Sequence, residues 1–138
     1  HGRKYLNPQA SRYIIFNELM VDWDEPVILV EGAFDAVVAG TQAIPILGST
    51  LRPNSKLFQA LSLNDTPVYI GLDDDAEKKA GHMIKNMLQY DMEVFKIDTS
   101  SVDDIGSMSS GEFSLAFQNA ETIDSDYYFF QKMMQKIV

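Results

Sequence analysis

The chain has 138 residues, of which 46% are hydrophobic and 22% charged, enough for one domain with its own core and too few for two of ordinary size. With no cysteine and only His1 and His82 as histidines, it lacks the thiols for a disulfide framework and the ligands for a Cys/His zinc site, so any bound metal must be held by oxygen: magnesium, manganese or calcium. A net charge of −9 opposes nucleic-acid binding through a broad basic surface, and no apolar stretch is long enough to span a membrane.

The chain begins at His1 without the basic-then-apolar pattern of a secretory signal, and it reads as a fragment or processed piece of an intracellular, cytoplasmic protein. Residues 1–8 carry Gly, Asn and Pro with no period, which predicts an extended arm. Residues 12–20 fit a short strand or a helical turn equally, and 22–26 a turn, since Pro26 and the clustered acids oppose a continuing element. Residues 26–30 form a continuous apolar run, predicting a fully buried strand. Gly32 then allows a tight turn, and 34–40 a short helix ended by glycine. A second strand is predicted over 43–47, at a sheet edge because Pro45 cannot donate a ladder hydrogen bond. Gly48, Ser49 and Thr50 suit close approach by backbone or ligand.

Asn54 or Ser55 is placed to cap a helix running to about Leu63, with Leu57, Phe58 and Leu61 facing inward. The third strand spans 67–72. Ala76, Ala80, Met83, Ile84, Met87 and Leu88 recur at helical spacing, predicting one amphipathic helix over 76–90. Residues 92–97 alternate as a fourth strand, with Met92, Val94 and Lys96 on one face. A further helix runs from Gly111 to about Ala120, and residues 124–138 read as a C-terminal helix with Tyr128, Phe129, Met133, Met134 and Ile137 as burial candidates. This alternation predicts a four-stranded parallel sheet flanked by helices, a Rossmann-like α/β fold over residues 26–122, with an N-terminal arm over 1–25 and a C-terminal helix over 123–138.

Acidic residues collect where these strands end: Glu31 and Asp35 after the first, Asp73, Asp74 and Asp75 after the third, Asp103 and Asp104 after the fourth. Parallel strands would bring these ends to one edge of the sheet, where open α/β folds place their sites, and a divalent cation is the commonest reason for carboxylates to gather. Each acid also has a plainer role. Glu31 is able to swing to solvent, Asp35 to favour the positive end of a helix dipole, and the aspartate run to form a solvated face. If Asp73 and Asp75 continue the strand alternation, both point the same way toward a metal. The helix after them would offer free amides to a phosphate, with Lys78 and Lys79 either beside it or simply at the surface.

Glu31-Gly32-Ala33-Phe34-Asp35 and Asp73-Asp74-Asp75 resemble the Glu-Gly-x-x-Asp and Asp-x-Asp sequences of the TOPRIM domain, shared by bacterial-type DNA primases, type IA and type II topoisomerases, some nucleases and recombination proteins. The resemblance covers residues 27–106. Lys4-Tyr5-Leu6-Asn7 is similar to the stretch preceding this domain in bacterial-type primases, and Ala43 to Leu51 to the primase segment in which glycine and small hydroxyl residues follow the second strand. Short phage-type primases are the nearest likeness. Two departures stand out: Ser101 occupies the place of the first acid of an Asp-Pro-Asp pattern, and Asp74 a place where many relatives have glycine.

The resemblance implies that Glu31, Asp73 and Asp75 are catalytic, metal-binding acids, that Asp103 supports the metal, and that the cation is Mg2+ or Mn2+. Lys4, Asn7, Lys78 and Lys79 would then contact nucleotide or template, and residues 1–25 would end a primase core subdomain. The implied activity is RNA-primer synthesis by a DNA primase, with single-stranded DNA template, ribonucleoside triphosphates and a replicative helicase as partners. The alternatives are a TOPRIM nuclease using the same carboxylates, and a non-catalytic acidic α/β module such as a receiver. A receiver requires an acidic pair after its first strand and a lysine after its last, whereas here the first site is Glu-Gly and no fifth strand is expected.

Overall fold

The computed structural model of the chain describes residues 18–46, 53–124, 126 and 133–134. Four short runs form parallel strands: β1 (Val27–Val30), β2 (Ala43–Pro45), β3 (Val68–Gly71) and β4 (Val94–Lys96). All of β1 is buried, as befits a strand covered on both faces. Successive side chains leave a strand on opposite sides. Val27, Leu29, Val68, Ile70 and Val94 therefore join one core with Phe58 and Leu61 of α2 (Lys56–Leu63) and Met83 and Met87 of α4 (Gly81–Gln89). Ile28, Val30 and Ala43 join a second core with Phe113 of α5 (Ser110–Gln118), Ile105 of a 3-10 turn (Ile105–Ser107), and the half-buried Ala36 and Val38 of α1 (Ala33–Ala39).

Local chemistry accounts for much of this. Ser55 accepts the Phe58 N–H at 3.0 Å to cap α2, which buries Leu57, Phe58 and Leu61 as expected. Ser109 and Glu112 form a reciprocal capping box at α5. Gly40, at φ 98°, closes α1 in a conformation that favours glycine. Before β1, the Gln42 side chain accepts from Asp22 N–H at 2.8 Å and donates to the carbonyls of Asp22 and Pro26 at 2.9 and 3.0 Å, fixing the 22–26 turn. The Thr66 hydroxyl adds a 2.6 Å bond to the Trp23 carbonyl.

The sheet has five strands, in the order β2-β1-β3-β4-β5. This corrects the expected four: β5 (Glu121–Ile123) pairs antiparallel with β4, with Ile123 opposite Val94 and Glu121 opposite Lys96. Three residues with only Ile123 buried are too short a run to show a period. Ile123, expected to open the C-terminal helix, instead ends a strand. Pro45 lies on β2, and β2 is an edge strand as predicted. The predicted 76–90 helix is two helices, α3 (Asp74–Lys79) and α4, meeting at Ala80 (φ −90°, ψ 6°) just before Gly81, a residue with little preference for a helix interior. The apolar rhythm survived because Met83, Ile84 and Met87 of α4 and Ala80 still face the same core. The arm over 1–8, the 48–50 segment and most of 12–20 and 124–138 lie outside the described residues, though 126, 133 and 134 are helical.

Candidate functional site

From β1 the chain passes to β2 on one side, and β3 then pairs with β1 on the other. The reversal falls between β1 and β3, and open α/β sheets usually place their sites beyond the carboxyl ends of strands at such a point. Val30 pairs with Gly71, so Glu31 leaves β1 beside Leu72, with Asp73 one residue further on. Glu31 is half-buried, and its carboxylate makes no hydrogen bond or ion pair among the described residues.

Asp73 does not continue the strand alternation. The chain turns helical at Asp74, and Asp73 Oδ1 caps α3 by accepting the Ala76 N–H at 2.7 Å. An N-cap satisfies an otherwise orphaned amide, so this bond sets the direction of the carboxylate and leaves Oδ2 without a partner among the described residues. Asp75 and Lys78 lie exposed on α3; of Asp74 and Lys79 only the backbone is described. One of the amides a phosphate would have used, that of Ala76, is already taken by Asp73, and α3 is a six-residue helix.

On the other flank, Asp35 is buried, with 7% of its surface exposed. Its Oδ2 accepts the Gly32 N–H at 3.0 Å and its Oδ1 the Gly106 N–H at 2.7 Å. The loop between β4 and α5 is thereby tied to the turn that carries Glu31. In that loop Asp103 is exposed, and Asp104 Oδ1 accepts both the backbone N–H and the hydroxyl of Ser107, at 3.0 and 2.9 Å. Asp98 is held below the usual carboxylate range, first by the Ser100 hydroxyl and then by the Ser100 N–H at 2.9 Å, with burial opposing and Lys96 assisting. Such a depression favours the folded loop at neutral pH, and the contribution is lost as acid protonates the group.

Among the described residues no three His, Cys, Asp or Glu side chains are grouped to hold a metal ion. Of the expected acids, Glu31 and Asp73 follow the carboxyl ends of the paired strands β1 and β3, while Asp75 sits on the exposed first turn of α3. Lys4 and Asn7 lie outside the described residues. No family model, curated protein or solved structure matches this chain. No helix among the described residues is long and apolar enough to cross a membrane.

Besides Lys78 and Lys79, a third basic residue lies at this edge, one to which the sequence assigns no role. Lys96, at the end of β4, donates to the Leu72 carbonyl at 2.9 Å and pairs with Glu77 of α3 at 2.7 Å. Glu77 Oε1 has no well-aligned hydrogen bond, so the contact with Lys96 is an ion pair held by charge rather than by a directed bond. Lys96 thus braces the segment from which Asp73 projects. Its alternation with Val94 signalled an inward direction but no partner. Lys96→Met is expected to cost about 1 kcal/mol, because it strands a half-buried carboxylate, and Glu77→Gln in the same chain should recover part of it. Thermal unfolding reads both, and a melting temperature equal to that of the parent in Lys96→Met would show the pair contributes nothing.

Proposed function

We propose that the chain is a TOPRIM-type, metal-dependent nucleotidyltransferase domain of a DNA primase, joining ribonucleotides on a single-stranded DNA template. The observation that carries this reading is the departure of Glu31 and Asp73 from neighbouring parallel strands at the reversal point of the sheet. Glu31 and the second oxygen of Asp73 are hard donors without partners among the described residues. Such a pair fits magnesium or manganese, which are commonly bound through one or two carboxylates while retaining waters and substrate phosphates. A three-acid cradle including Asp75 fits less well, since Asp75 has moved onto α3.

Glu31 and Asp73 would hold a divalent cation there, and it would supply charge compensation at the attacking and leaving oxygens of phosphoryl transfer. Lys96 keeps the Asp73 turn in place. Asp103 contributes negative charge from the adjoining loop, and Lys78 is free at the surface to meet phosphate. A receiver-like reading loses support from β5: because it runs antiparallel, its carboxyl end lies at the opposite edge of the sheet, followed by Asp124 rather than by a lysine.

Titration with Mn2+ tests the site. Glu31→Gln and Asp73→Asn are each expected to weaken binding about tenfold or more, and Asp75→Asn to weaken it less. Unchanged affinity in both of the first two variants removes the site. Incorporation of labelled ribonucleotides on single-stranded DNA supports primer synthesis, whereas metal-dependent scission of the template without incorporation assigns the same carboxylates to a nuclease.

A further inference from the structure

We propose that Asp35 is a positioning residue of this site rather than a metal ligand, locking the Glu31 turn and the loop after β4 into one unit. The inference rests on the metal-binding reading above. Asp35 is the one member of the Glu-Gly-x-x-Asp sequence whose carboxylate is both buried and fully engaged. One oxygen takes the Gly32 N–H, next to Glu31, and the other takes the Gly106 N–H, 71 residues away.

The orientation of α1 points to the same role. Among its residues only Asp35 is fully buried; Ala36, Val38 and Ala39 rest half-buried on the second core, while Phe34 and Val37 remain 86% and 79% exposed. An amphipathic helix set by apolar burial alone would turn its phenylalanine inward. Here the position of the helix meets the demand of the carboxylate, since a buried acid without hydrogen bonds is far more costly than an exposed aromatic ring. Capping α1 requires only the Gly32 bond, so the Gly106 bond is additional and serves the loop.

Gly106 is matched to this contact. A Cβ there would lie 3.0 Å from Asp35 Oδ1, 3.4 Å from Asp104 Oδ1 and 3.6 Å from the Asp35 nitrogen. Glycine allows the approach of loop backbone to carboxylate, and any side chain pushes against it. Next to Gly106, Ile105 is buried in the core beneath α1 and α5, so the loop is held by an apolar plug and by Asp35 together. Glu31, whose carboxylate has no hydrogen bond among the described residues, takes its direction from the Gly32 backbone that Asp35 fixes. Outer groups that orient ligands in this way are typically worth about 10- to 100-fold in metal affinity.

The test is a set of Mn2+ titrations on the full chain well below its melting temperature, with amide hydrogen exchange on the same samples. Asp35→Asn leaves one oxygen for two amides. It is expected to weaken Mn2+ binding about tenfold and to speed exchange at Gly106, with the circular dichroism of the folded chain retained. Gly106→Ala disturbs the same bond from its other end and should weaken binding in the same direction. In a Glu31→Gln background, Asp35→Asn is expected to add less than about twofold, because Asp35 acts through Glu31.

Parental protein that takes up no Mn2+ defeats the metal-binding reading itself. If the parent binds and Asp35→Asn binds equally well, only the positioning role fails. An undiminished loss in the Glu31→Gln background, with Gly106→Ala binding normally, identifies Asp35 as a direct ligand and overturns the proposal. Should Asp35→Asn fail to fold, Gly106→Ala and its combination with Glu31→Gln decide the matter by the same criteria.

Discussion

Truncating Phe58 to alanine is expected to lower stability by about 3–5 kcal/mol, the largest single effect foreseen for this chain. Phe58 is 1% exposed and lies in the core between α2 and the sheet with Leu29, Ile70 and Met87. Its ring also meets Tyr90 edge-on, with centroids 5.0 Å apart and planes at 81°, a geometry that adds to simple burial. Loss of the ring leaves a cavity that neither strand of the sheet is free to fill, since both β1 and β3 are fixed by pairing on each side. For a domain of this size the melting temperature should fall by about 10–15 °C. Urea or thermal unfolding checks it. A change below about 1 kcal/mol would mean that α2 does not seat on the sheet as described.

Gly71→Val is expected to cost about 1–3 kcal/mol through overpacking and to weaken Mn2+ binding as well. A Cβ at Gly71 would overlap Ile105 Cδ1 and lie 3.3 Å from the Leu29 carbonyl oxygen and 3.4 Å from Ile28 Cγ2. The isoleucine tip is able to shift, but the carbonyl belongs to the neighbouring strand and is not. Moving Ile105 displaces Gly106 from Asp35, which links a packing defect in the sheet to the candidate site. Ile105→Val removes the overlapping methyl and should restore part of both losses. Full stability and full affinity in Gly71→Val would show that Ile105 does not rest over β3.

Features encoded within a few residues were legible in the sequence. Ser55 with its cap, the inner face Leu57, Phe58 and Leu61, and Gly40 at the end of α1 follow from helix geometry alone. The edge position of β2 follows from Pro45, because a missing N–H is tolerated there. The placement of acids at the ends of β1 and β3 was readable too, since apolar strands in a parallel sheet must run the same way. Asp73 as an N-cap was also within reach, through its spacing to Ala76, but the expectation of strand alternation concealed it. The break at Ala80 was concealed by a rhythm that both helices keep.

Amino-acid order by itself determined the class of the fold, the direction of its first four strands and the edge on which Glu31, Asp73 and Asp103 appear, because burial period and crossover length are properties of contiguous residues. Only the tertiary structure decided which charged side chains at that edge are spent on distant segments. Asp35 is bound to Gly106, and Lys96 to Leu72 and Glu77. The antiparallel β5 was likewise settled by pairing with β4. A carboxylate has the same formula whether it faces an amide, a lysine or water. Its partner is chosen by how distant segments pack, and that choice leaves no periodic trace along the chain.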